Sequence, residues 1–162
     1  MSKSGFSKNI FAATTMLTAM LATSVFAEGM QLNVTYGTKA EKAITSTYGE
    51  RERVVIRDLL HRNLSRALGS QAARVDVTIN DVMPNRPTFK QMGDRPGLSF
   101  QSFGIGGADV TGKAYDTSGN LVGEVSYDWY GDIHFADTAW TWTDTDRALY
   151  QFSRRLAEAV PG

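Results

Sequence analysis

The sequence predicts an α+β fold, a two-layer sandwich in which two helices pack on one face of a mostly antiparallel sheet. Three observations predict it. Four segments alternate apolar and polar residues with the period of a half-buried strand, and two longer segments repeat apolar residues with the period of a helix. These segments follow the order β-α-β-(β)-β-β-α, where the strand in parentheses is a possible edge strand, within a length that suits one domain.

Residues 1–27 are predicted to be a cleavable secretory signal peptide. Lys3 and Lys8 form a basic leader, and the run NIFAATTMLTAMLA that follows is apolar but too short to span a bilayer. The small residues Val25 and Ala27 stand where a signal peptidase requires them. The sequence therefore predicts a periplasmic or secreted bacterial protein.

Residues 28–162 are predicted to form a single α+β domain without a transmembrane segment. The leader contains two lysines and no acid, so its removal leaves acidic residues in slight excess and no global attraction for nucleic acid. The chain has no cysteine, which excludes disulfides, thiol catalysis, thiolate metal sites and a lipid-modified cysteine. The domain must therefore be stable through its hydrophobic core alone.

A polar segment separates the first predicted strand from the first predicted helix. MQLNVTYG alternates and ends at Gly37, which predicts a half-buried strand. Residues 38–49 are small and polar and are predicted to be a linker. GERERVVIRDLLHRNLSRALG has a broad apolar stripe and Gly69 at its end, which predicts a helix. Asn63 falls inside this stripe and is expected to hydrogen-bond the backbone of a neighbouring loop.

The middle of the chain combines one clear strand with a long irregular segment. RVDVTINDVMP alternates until Pro84, which ends the predicted strand. Residues 84–97 are rich in proline and glycine and are predicted to form a long loop, and LSFQSF after it is the possible edge strand. Long loops inside a compact domain are often functional, which makes this loop a candidate contact segment.

ADVTGKAYDTSGNLVGEVSYDWYG predicts a β-hairpin. Apolar and polar residues alternate on both sides of DTSGN, whose Gly119 and Asn120 can adopt the positive φ that a tight turn requires. The last element, from about Asp144 to Val160, is predicted to be an amphipathic helix.

The stretch DWYGDIHFADTAWTWTDTDR, between hairpin and last helix, contains all three tryptophans. In an extended AWTWT segment Trp140 and Trp142 share one face, and we expect both indoles to be buried in the core or at the junction of helix and sheet. The alternative is a stacking platform for a glycan. Asp144 and Asp146 are assigned to helix initiation, with Thr143 as the N-terminal cap and Thr145 as a second candidate cap.

The same stretch offers one candidate metal site. Asp132, His134 and Asp137 form a possible ligand triad of a metal-dependent hydrolase. Such a site needs further ligands from distant loops, and His61, the other histidine, is placed on the exposed side of the first helix. No Gly-x-Ser-x-Gly elbow or phosphate-binding loop accompanies it. The sequence therefore predicts no cofactor and favours a non-enzymatic protein, with the metal-dependent hydrolase as the alternative.

The hairpin and the last helix carry a resemblance to known proteins. FGIGGADVTGKAYDTSGNLVGEVSY, with a tryptophan-bearing segment and the helix DRALYQFSRRLAEAV after it, resembles several uncharacterised families of small exported bacterial envelope proteins, many of them lipoproteins. The shared features, within roughly residues 50–160, are a glycine-rich strand, a hairpin turn of aspartate and glycine, and a C-terminal helix. The resemblance implies the fold and an envelope location, and it implies no catalytic residues.

These observations predict an exported, non-enzymatic binding or assembly module for another periplasmic or cell-surface component, either an envelope protein or a glycan. The expected contact surface combines residues 84–97 with residues 130–142, and aromatic side chains are the expected anchors because they dominate interface energetics. The candidate anchors are Phe89, Tyr130, Trp140 and Trp142. A glycan-binding domain that uses the last two is a further alternative.

Overall fold

The computed structural model describes residues 24–27 and 29–161. The rest of the predicted signal peptide lies outside the described residues, and its cleavage stays a prediction. The described chain confirms the predicted α+β class, because helices pack against a single mixed sheet.

Five strands form this sheet. In chain order they are β1 (Ser24–Ala27), β2 (Met30–Tyr36), β3 (Arg74–Met83), β4 (Gly107–Tyr115) and β5 (Leu121–Tyr130). They lie side by side in the same order. The pair β2–β3 is parallel and the other three pairs are antiparallel, which fits the predicted mostly antiparallel sheet. The hairpin expected from DTSGN joins β4 to β5.

The helices include both that the sequence predicts. The α-helices of the described residues are α1 (Thr38–Ala43), α2 (Glu50–Leu68), α3 (Phe89–Asp94) and α4 (Thr143–Ala159). A π-helical turn, Ile44–Tyr48, joins α1 to α2, and a 3-10 helix, Ile133–Thr138, precedes α4. The two long helices, α2 and α4, pack on each other, and α4 also lies on β4 and β5.

The hydrophobic core lies between these two helices and one face of the sheet. Val77 and Val110 of the sheet are buried there with Leu60 of α2 and Phe152 of α4. Gly112 of β4 permits the close approach of α4, since a Cβ atom at this position would lie only 2.5 Å from Cζ of Phe152. The ring of Phe152 in the helical layer therefore packs directly on the backbone of Gly112 in the sheet.

The predicted linker at residues 38–49 is wrong, because α1 and the π-helical turn occupy it. Ala40 and Ile44, four residues apart, are both fully buried. One narrow apolar face thus holds this segment on the core. The segment is too short for that face to appear as a repeating stripe in the sequence.

The possible edge strand in LSFQSF does not form. Met83 at the end of β3 pairs directly with Gly107 at the beginning of β4. Residues 84–106 therefore form one long connection outside the sheet, which we call the excursion. Within it, α3 begins with a capping box in which Thr88 and Gln91 satisfy each other's backbone amides. The chain between α3 and β4 is irregular.

Asn63 of α2 and the polar residues at the start of α4 form hydrogen bonds that differ in part from the predicted ones. Asn63 is buried, but it donates to Oδ1 of Asp146 at 2.8 Å rather than to a loop backbone. Asp146 also pairs with Arg62 at 3.2 Å, and so it links α4 to α2. The predicted cap at Thr143 is wrong, since α4 begins there without a side-chain cap. Asp144 and Asp146 do lie in the first turn, as expected.

Candidate functional site

The two segments predicted to make contacts, 84–97 and 130–142, lie against each other, and Arg86 joins them. Its Nε donates to the carbonyl oxygen of Ala139 at 2.5 Å. The other two guanidinium nitrogens donate to the carbonyl oxygens of Phe100 and Asp137. One side chain therefore holds backbone of both the loop after α3 and the segment before α4.

Asn85 forms a second, buried connection between the same segments. Its backbone N–H donates to the carbonyl oxygen of Thr141 at 2.8 Å, and its Oδ1 accepts from the backbone N–H of Asp144 at 2.9 Å. Its Nδ2 donates to Asp144 Oδ2 and to the carbonyl oxygen of Gly104. The loops are therefore held by a network of hydrogen bonds that involves both side chains and backbone, although they contain little regular structure.

Three aromatic side chains project into solvent from α3 and from the segments that Arg86 joins. Phe89 is 60% exposed, Phe100 53% and Trp140 83%. The rings of Phe89 and Phe100 meet edge to face, with centroids 5.4 Å apart. We call these three residues the aromatic patch. Such exposure is unusual for large apolar side chains that lie next to each other.

Two clefts flank Phe100. The larger, the Trp140 cleft, has a volume of about 360 Å³ and is lined by Arg86, Phe100, Thr138, Ala139, Trp140 and Thr141. The smaller, the Glu52 cleft, has a volume of about 190 Å³. Its lining includes the charged residues Arg51 and Glu52 and the apolar or aromatic residues Val55, Phe89, Phe100 and Trp142. Phe100 thus forms a wall between two adjacent clefts.

Trp142 lies below the aromatic patch and not in it. Its side chain is only 7% exposed, and its Nε1 donates to Oε2 of Glu52 at 2.7 Å. Tyr48 packs against the indole edge to face, with centroids 5.8 Å apart. The expectation that Trp140 and Trp142 share one face is wrong, because the chain turns into α4 at Trp142 instead of remaining extended. Burial, expected for both indoles, is confirmed for one.

Tyr130, the remaining candidate anchor, lies at the end of β5 and lines neither cleft. Its hydroxyl donates to Oδ2 of buried Asp81 at 2.8 Å, and Lys39 reaches the same oxygen at 2.6 Å. Burial, and then the hydrogen bond to Asp81, raises the pKa of Tyr130 well above its usual range. Tyr130 therefore belongs to a polar cluster beside α1.

The candidate metal ligands are only partly brought together. His134 Nδ1 lies 2.6 Å from Oδ1 of Asp132, and the backbone N–H of His134 donates to that oxygen. This backbone hydrogen bond, and then the side-chain one, lowers the pKa of Asp132. Both side chains are exposed. Within residues 29–161, no group of three His, Cys, Asp or Glu side chains is arranged to hold a metal ion.

Sequence reasoning did not single out three residues that define this site: Glu52, Arg86 and Phe100. Glu52 follows the polar pattern of an N-terminal helix turn, and Arg86 lies between two prolines in an irregular segment. Phe100 lies in LSFQSF, whose alternation predicts a possible edge strand, so the pattern does not separate it from residues of the sheet. The signal against a strand is that the alternation breaks at Phe103.

Comparisons of the chain with protein-family models, with curated proteins and with solved structures find no match. Among the described residues, no helix combines the length and the apolar character needed to cross a membrane. What the site does must therefore be inferred from its own geometry.

Proposed function

We propose that this protein is an exported, non-enzymatic binding or assembly module, which contacts another periplasmic or cell-surface protein through the aromatic patch. The observation that carries the proposal is the indole of Trp140, 83% exposed beside Phe100. Tryptophan is strongly enriched among the residues that dominate binding energy. An indole that only stabilised the fold would be expected to lie inside, as Trp142 does.

The way the patch is held also supports a binding role. Arg86 and Asn85 fix the backbone on which Phe100 and Trp140 are carried. Binding to a surface that is already ordered costs little conformational entropy, so more of the contact energy appears as affinity. The two clefts beside Phe100 offer places for side chains of a partner, as hot-spot residues usually fill pockets.

The patch can be tested by photo-crosslinking in cells that export the protein. A photoreactive phenylalanine analogue is placed at position 100 and, as a matched control, at Tyr150, an exposed aromatic position of α4. We expect a discrete adduct of defined mass from position 100 and none of that mass from position 150. Adducts with glycan instead of protein would assign the patch to carbohydrate. Equal adducts from both positions would contradict a specific surface.

The alternative, a metal-dependent hydrolase that uses Asp132, His134 and Asp137, has its own test. Elemental analysis of protein purified without chelator measures bound metal directly. Stoichiometric zinc or manganese that is lost in His134→Ala would replace the proposal above. Metal that stays at background in both proteins would leave the aromatic patch as the functional surface.

A further inference from the structure

Glu52 is a buried carboxylate without a cationic partner among the described residues. It lies in the first turn of α2 and is only 7% exposed. None of the salt bridges formed by the described residues includes it. Asp81, the other buried carboxylate, is paired with Lys39 at 2.6 Å. Buried charges are normally paired, so the exception points to a missing partner.

The groups that do surround Glu52 compensate its charge only in part. The indole N–H of Trp142 binds Oε2, and the positive end of the α2 dipole lies nearby. The other oxygen, Oε1, accepts no hydrogen bond from the described residues. Glu52 lines the cleft named after it, and its Oε1 is not enclosed, so a group that enters the cleft can reach this acceptor.

The walls of the Glu52 cleft suit a cation as well. Phe89 and Phe100 contribute aromatic rings, and Val55 contributes an apolar side chain. The guanidinium of Arg51 already lies over the Phe89 ring, 5.4 Å from its centroid, without a salt bridge to Glu52. Aromatic rings attract ammonium and guanidinium groups through their negative faces, and a carboxylate beyond the rings adds a charge-assisted hydrogen bond.

We propose that the Glu52 cleft receives the cationic side chain of a partner protein, a lysine or an arginine, with Phe89 and Phe100 along its apolar stem and Glu52 at its charged end. This inference rests on the proposed function, since it names the chemistry that the aromatic patch recognises. Charge complementarity is the reason for this choice. A neutral or acidic side chain would leave the Glu52 carboxylate buried and unpaired.

The test uses the indole N–H of Trp142 as a reporter, because it donates to Glu52. Nitrogen-15-labelled protein is titrated with Nα-acetyl-lysine amide, Nα-acetyl-arginine amide and Nα-acetyl-norleucine amide, and the indole resonance is followed by NMR. We expect a saturable shift with one or both of the cationic probes and none with the norleucine probe. Glu52→Gln retains an acceptor for the indole and removes the charge, so it should weaken cation binding by about tenfold or more.

Glu50→Gln is the matched control, since Glu50 lies in the same turn, is exposed and pairs with Arg53. It should leave probe binding unchanged. The inference is overturned if no probe produces a saturable shift, if norleucine binds as well as lysine and arginine, or if Glu52→Gln binds as tightly as the unaltered protein. The comparison of the three probes uses the unaltered protein, so it tests the inference even if Glu52→Gln fails to fold. Crosslinking from position 100 is measured independently, which separates failure of this inference from failure of the aromatic patch.

Discussion

At the scale of single residues, the site depends on polar side chains that hold loop backbone in place. Arg86 binds three backbone carbonyl groups, one through each nitrogen of its planar guanidinium, whereas the donors of an ammonium group all lie on a single nitrogen. The buried side chain of Asn85 accepts from the backbone N–H of Asp144 and donates to the carbonyl oxygen of Gly104. Phe100 and Trp140 are therefore carried on backbone that these two residues hold.

Arg86→Lys should therefore loosen both loops without removing a charge. We expect the free energy of unfolding to fall by about 2 kcal/mol, because hydrogen bonds from a charged donor to loop carbonyls are lost. Amides around Thr141 should exchange faster with solvent. Urea denaturation and hydrogen exchange measure the two effects. Arg95→Lys, at an exposed position of the same excursion, is the control, and equal effects of the two substitutions would contradict the role of Arg86.

A second prediction at this scale concerns Tyr36, whose hydroxyl donates to the carbonyl oxygen of Arg53 at 3.1 Å. Burial raises the pKa of Tyr36 from 10.0 to about 12. Between these two values the unfolded chain loses the phenolic proton while the folded protein keeps it. The folded state then binds more protons, so the free energy of unfolding falls as the pH rises through this window.

Tyr36→Phe should make this alkaline fall shallower. Urea denaturation across the window measures the slope, and the slope is compared because the substitution also removes a hydrogen bond. Tyr150→Phe, at an exposed position of α4, is the control. Identical slopes for Tyr36→Phe and the unaltered protein would show that Tyr36 does not titrate as inferred.

At the scale of elements, the long strands and helices could be predicted from the sequence, and the short ones could not. Alternation over seven or more residues identifies β2, β3, β4 and β5, and a helical stripe identifies α2 and α4. In α1 only Ala40 is buried, and α3 buries none of its residues, so neither helix has a detectable period. Their positions are set by contacts with distant parts of the chain.

The packing of α4 on the sheet gives a prediction at this scale. Gly112→Ala would place a methyl group 2.5 Å from Cζ of Phe152, and the ring cannot move away easily because it is fully buried. Overpacking of this kind should lower the free energy of unfolding by about 1–3 kcal/mol. Gly104→Ala is the control, since a Cβ there meets nothing within 4 Å. Thermal and urea denaturation should separate the two variants, and equal stability of both would contradict the tight contact.

At the scale of the whole molecule, the site joins segments that are far apart in sequence. Glu52 and Trp142 are separated by 90 residues, and Arg86 reaches backbone 51 and 53 residues away. Two of the three patch residues, Phe89 and Trp140, are among the candidate anchors that the sequence predicts, because they are aromatic and lie in the two predicted contact segments. It could not identify Glu52, Arg86 or the burial of Trp142, since these depend on how helix α2 and the two loops meet in the fold.

In the described residues, one hydrophobic core lies between α2, α4 and the sheet, and the aromatic patch lies outside it. In the residues that the structure describes, the candidate metal ligands form no group of three that could hold an ion. We propose that the aromatic patch is a preformed binding surface, and the ordered backbone that carries Phe100 and Trp140 supports this. The central claim is therefore that Trp140 contributes binding energy and not folding energy.

The most direct measurement of this claim is the affinity of the protein partner crosslinked at position 100, determined by titration calorimetry with the unaltered protein and with Trp140→Ala. We predict binding at least about tenfold weaker for Trp140→Ala, as for a hot-spot tryptophan, with little change in the free energy of unfolding. Tyr150→Ala should bind like the unaltered protein. Unchanged affinity of Trp140→Ala would contradict the claim.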